Sequence, residues 1–111
     1  MISNQPTHAE EFRLKGLDEA DKEAAASLLE DLKSATLAQW CAELGEMPVN
    51  RAEQIVKASP RWEKYIRDTV EARREAGVAK VEKEYAKMKF YEWQAMEANG
   101  RAELRMMGAT T

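Results

Sequence analysis

The sequence predicts an all-α protein, a small helical bundle with a long C-terminal helix of coiled-coil character that is available to an intersubunit contact. Three observations point there. Apolar residues recur at three- and four-residue spacing, the period of a helix face rather than of a strand. Only five glycines and three prolines interrupt 111 residues, little material for the turns of a β protein. Between Pro60 and Asn99-Gly100 no stop signal occurs, so one helix is expected over about 60–98.

The elements follow in order. Residues 1–8 read as a flexible tail, with Asn4, Gln5 and Pro6 unfavourable in a helix interior, and residues 9–111 read as a single helical domain. Residues 9–15 allow one short turn of helix, stopped by Gly16. Asp18 or Asp21 caps the next helix, whose first turn gathers carboxylates where the helix dipole favours them. That helix runs through Glu23-Ala24-Ala25-Ala26 to about Ser34, with Ala25, Leu28, Leu29 and Leu32 at helical spacing. It continues, or restarts near Thr36, through Leu37, Trp40, Cys41 and Leu44, which share one face expected to be buried. Gly45 ends it and Pro48 confirms the break.

Asn50 with Glu53 three residues on resembles a capping box and opens a short helix with Ile55 and Val56 inward. Ser59 caps the long helix and Pro60 fits its first position. Gly77 is its weak point, at about 1 kcal/mol relative to Ala. The pairs Glu63/Arg67, Lys64/Asp68, Arg67/Glu71 and Lys80/Glu84 support its exposed side. About 39 residues at 1.5 Å each reach roughly 58 Å, beyond the body that a chain of this length forms. Either the helix bends back near Gly77 or its far half packs on a partner.

The far half carries a partial heptad. Val81, Met88, Ala95 and Ala102 recur every seven residues, with Val78 and Tyr85 on the adjoining seam and Glu92 and Asn99 at its next two positions. Val78, Val81, Tyr85, Met88, Ala95 and Ala102 are therefore the candidate protein interface, for a homo-oligomer or another protein partner. Ala86, Phe90 and Trp93 form a second apolar stripe, which calls for more than one packing neighbour.

Residues expected to carry chemistry are few. His8 is the one histidine and falls in the expected tail. Cys41, the single cysteine, lies on the apolar face beside Trp40 and has no second histidine to activate it, so it reads as a small core hydrophobe. Asp18, Glu19, Asp21, Glu23, Glu30 and Asp31 read as caps and solvated faces rather than ligands. No phosphate loop, nucleophile elbow or zinc pattern occurs. The expectation is a non-enzymatic protein with no catalytic residue, no metal and no cofactor. One cysteine excludes an internal disulfide and suits a reducing compartment. The first residues lack a basic segment followed by an apolar run, and no stretch approaches the roughly 18 apolar residues of a membrane span.

The net charge of −3 hides an asymmetry: residues 1–50 carry ten acids and four bases, and residues 51–111 thirteen bases and ten acids. Both halves read as ordinary solvated helix faces, or the second as a mildly basic arm. Within it Lys80, Lys83, Lys87 and Lys89 alternate with Tyr85, Phe90, Tyr91 and Trp93, the mixture that holds single-stranded nucleic acid by phosphate neutralisation and stacking. Glu82, Glu84 and Glu92 dilute it. The candidate nucleic-acid contacts are Arg73, Arg74, Lys80, Lys83, Lys87, Lys89 and Tyr91. A second route to nucleic acid is a degenerate helix-turn-helix, residues 37–45 followed by the helix from Asn50. Its connection is long, and Arg51 and Lys57 are the second helix's only bases.

The stretch Tyr65-Ile66-Arg67-Asp68-Thr69-Val70-Glu71-Ala72-Arg73-Arg74-Glu75-Ala76, then Ala79-Lys80-Val81-Glu82 and Met88-Lys89-Phe90-Tyr91-Glu92-Trp93-Gln94, resembles small helical proteins of bacteriophages and prophages. Some of these sit in gene neighbourhoods concerned with recombination and replication. The resemblance spans roughly residues 60–105. It implies a cytoplasmic setting in a bacterial host and an accessory role, and it assigns no site residue. The expected function is that of a phage-type accessory protein that binds a protein partner or itself through the long helix. The alternative is a nucleic-acid-binding module in recombination or replication.

Overall fold

The computed structural model describes residues 5–109. They form four helices and, among the described residues, no strand: α1 (His8–Asp31), α2 (Lys33–Ala42), α3 (Val49–Lys57) and α4 (Pro60–Ala109). The all-α class and the long C-terminal helix agree with the sequence reading. Among the described residues no helix is long and apolar enough to cross a membrane.

Several boundaries differ, each for a physical reason. α1 runs unbroken through Gly16, which the sequence reading took as a stop. A glycine costs only about 1 kcal/mol in a helix interior, and packing against a neighbouring helix outweighs that. Its start is fixed by Thr7, whose Oγ1 accepts from the Glu10 N–H at 3.1 Å. Thr7-His8-Ala9-Glu10 is the threonine-x-x-glutamate pattern of a helix start. At the other end, Gly100 lies inside α4, which extends past the expected stop to Ala109. Asn50 is not a cap. α3 begins two residues earlier, at Val49, with Pro48 at the cap position at φ −57° and ψ 139° and its carbonyl accepting from Ala52 N–H at 3.0 Å. Ser59 does cap α4, its Oγ accepting from Trp62 N–H at 3.2 Å. Gly45 holds φ 85°, the left-handed turn in which the lack of a Cβ counts.

The described residues divide into two units, residues 20–78 and the pairing of residues 5–19 with 79–109. The first has an aromatic centre. Trp62 is 6% exposed, lies stacked on Tyr65 at 5.4 Å between ring centroids, and meets the edge of Trp40 at 5.9 Å. Tyr65 OH donates to the Leu29 carbonyl, which ties α4 to α1. The Arg61 guanidinium lies 3.8 Å from the Trp40 ring centroid and pairs with Glu43 at 2.8 Å. Arg73 reaches Glu23 at 2.6 Å and Glu30 at 2.5 Å. Its hydrogen bond holds the Glu30 carboxyl below the usual carboxylate range, and the two carboxylates raise the Arg73 guanidinium.

The buried positions here are small. Ala26 is fully enclosed, and Ala52, Val56 and Ala76 are nearly so. The face Ala25, Leu28, Leu29, Leu32 is not the core: Leu28 and Leu32 are exposed and Ala26 takes the inward place. Ile55 is likewise exposed, while Ala52 and Val56 point in. Leu37, Trp40 and Cys41 are half-buried, and Leu44 is exposed because α2 has ended at Ala42 before reaching it. Alanines let two helix backbones approach closely, which leaves the larger apolar side chains outside the contact.

The second unit is an antiparallel pair. His8 meets Trp93 at 6.1 Å between ring centroids, Phe12 meets Phe90 at 6.3 Å, and Glu19 pairs with Lys83 at 3.5 Å. Gly16 lies against the Lys83 stem; a Cβ built on it would sit 3.8 Å from Lys83 Cδ. The α4 face used is Ala79, Lys83, Ala86, Phe90 and Trp93, at spacings of four, three, four and three, of which Ala79 and Ala86 are buried. His8, expected in a tail, thus opens α1 against an indole. The far half of α4 is covered on this side by its own chain.

Candidate interaction face

The open stripe of α4 arises from the same helix geometry. At about 100° per residue, Val81, Tyr85 and Met88 lie roughly 150° around the helix from the stripe that α1 covers. Their exposures are 68%, 54% and 65%. An apolar side chain left this open gains little from folding, because most of its surface stays in water. Lys80, Val81, Glu84, Tyr85 and Met88 line a shallow hollow of about 370 Å³. Residues 81, 84, 85 and 88 stand at i, i+3, i+4 and i+7. That diamond of four is the hole into which a facing helix inserts one side chain in coiled-coil packing.

Val78, 46% exposed, lies earlier on the same helix, in the other unit, and Ala95 and Ala102 are exposed farther along it. Of the six candidate interface residues, three therefore build the hollow and three lie outside it. Glu84 and Lys80, which supply its polar edge, were absent from the candidate interface. The heptad itself could have found Glu84, which flanks the seam, but not Lys80, which lies farther round the helix. Beyond it the last turns of α4 expose Met96, Leu104, Met106 and Met107.

The candidate nucleic-acid residues are dispersed. Arg73 is held by Glu23 and Glu30, Arg74 pairs with Glu71 at 3.2 Å, and Lys83 is turned to Glu19. Lys87 Nζ lies 5.9 Å from the Tyr91 ring centroid and Lys89 Nζ 5.5 Å from that of Tyr85. Lys80 borders the hollow. Lys80, Lys83 and Lys87, three and four residues apart, do not point outward together, because Lys83 lies in the covered stripe. Tyr91 is exposed.

In residues 20–78, α2 and α3 enclose a groove of about 500 Å³ lined by Leu37, Ala38, Cys41, Ala42, Met47 and Val49 among others. α3 carries Arg51, exposed, and Lys57, which lies 3.8 Å from Glu53. Among the described residues no group of three or more His, Cys, Asp or Glu side chains is placed to hold a metal ion. Compared with known proteins, the chain matches no family model, no curated protein and no solved structure.

Proposed function

We propose that this protein is a non-catalytic interaction module that works through the open stripe of α4, by self-association and by binding a helical partner. The observation that carries the reading is the hollow at Val81, Glu84, Tyr85 and Met88, an apolar notch with coiled-coil spacing on a helix whose other stripe is already covered. A contiguous row of exposed apolar residues rimmed by polar side chains supports a protein contact. The likeness of residues 60–105 to phage and prophage helical proteins supports an accessory role in that setting.

Nucleic-acid binding is the weaker reading, because Arg73, Arg74 and Lys83 are engaged by carboxylates of their own chain and a phosphate would have to displace them. Salt separates the two: phosphate contacts weaken steeply as salt rises, and an apolar helix interface does not. Light scattering over a concentration series at moderate salt tests the proposal. At least a dimer mass is expected at micromolar concentration, and a monomer mass at every concentration would remove self-association.

A further inference from the structure

We infer that the occupant of the α4 hollow is α4 of a second copy, running antiparallel, with Tyr85 level with Met88 of that copy. This rests on the self-association proposed above and specifies its geometry. In the heptad of the open stripe, residues 78, 85, 92 and 99 occupy one seam position and residues 81, 88, 95 and 102 the other. Glu92 decides the direction. A parallel pair in register stacks Glu92 on Glu92 of the second copy within the seam, two like charges at close range in partly desolvated surroundings. The antiparallel register sets Glu92 opposite Val81 of the second copy instead, one residue from the Lys80 that edges the hollow. Each hollow then receives an apolar side chain from the other copy.

Charge complementarity follows from the same register. Glu82 and Lys89 both flank the seam on one side. Antiparallel packing brings Glu82 of each copy beside Lys89 of the other, twice by symmetry. Parallel packing would instead pair Glu84 with Lys89. Lys89 is exposed and lies over the Tyr85 ring, at the edge of the stripe and within reach of a second chain.

The test is charge exchange on the full chain, read by sedimentation velocity at low salt with helicity checked by circular dichroism. Lys89→Glu should weaken the dimer about tenfold, since two attractive pairs become repulsive, and less so at high salt. Adding Glu82→Lys to Lys89→Glu should restore it, and adding Glu84→Lys should not. Restoration by Glu84→Lys alone would establish the parallel arrangement and overturn the inference. No weakening by Lys89→Glu, or restoration by neither, would overturn it too while leaving self-association standing. A wild-type chain that stays monomeric removes the proposed self-association and the inference with it.

Discussion

Residues 20–78 bury an indole among several helices, whereas residues 5–19 and 79–109 bury two alanines between two. The difference is one of helix number. In the first unit Trp62 of α4 stacks on Tyr65 and meets Trp40 of α2, and Tyr65 bonds in turn to Leu29 of α1, so a large side chain is enclosed where more than two helices meet. In the second, among the described residues, α4 meets α1 alone. A helix with one neighbour can cover one stripe, and α4 carries two. The covered stripe is Ala79, Lys83, Ala86, Phe90 and Trp93; the open one is Val81, Tyr85 and Met88. The surplus stripe is what a second chain would complete.

The largest expected effect should fall on the aromatic unit. Trp62→Ala removes a bulky, nearly enclosed side chain and should cost about 3–5 kcal/mol in a urea melt followed by circular dichroism. Trp93→Ala, at a position 45% exposed, should cost clearly less. Equal costs would erase the contrast between the two units.

A smaller change should go the other way. Gly77→Ala replaces a helix-interior glycine whose Cβ would meet nothing within 4 Å, and should stabilise by up to about 1 kcal/mol. A destabilisation by the same melt would show that the surface at Gly77 is covered in solution.

The smallest effect is that of acid on the Arg73 cluster. Its hydrogen bond lowers the Glu30 pKa in the folded chain, so the contribution is present above the ordinary carboxylate pKa and is lost as pH falls through the lowered one. The melting temperature of the wild type should therefore drop more steeply in acid than that of Arg73→Met. Parallel curves would mean that the exposed ion pairs contribute nothing, as many such pairs do.

The class and the long helix were legible in the sequence because three- and four-residue periodicity and the absence of breakers survive any tertiary arrangement. Gly16 was misread because a glycine's local cost is small beside the packing of a helix it belongs to, and the packing is not local. Thr7 was legible and passed over: threonine followed three residues on by Glu10 is a start signal whatever precedes it. The core of the first unit was hidden for a different reason. Hydrophobic size directs attention to Leu28, Leu32, Leu44 and Ile55, but alanines occupy the contacts where helices approach most closely. In α4 the same bias favoured the row with valine and methionine over the stripe with alanine and lysine that α1 covers. That row nevertheless holds three of the residues that build the hollow.

Thermal unfolding at two protein concentrations tests most directly whether a second copy closes the open stripe. Association that favours the folded chain raises the melting temperature with concentration. The wild type should melt several degrees higher at about 200 µM than at about 2 µM, a hundredfold change in mass action. Met88→Glu, a charge placed in the hollow, should melt at the same temperature at both. Identical wild-type midpoints would contradict the claim and leave α4 with a face that no second copy covers.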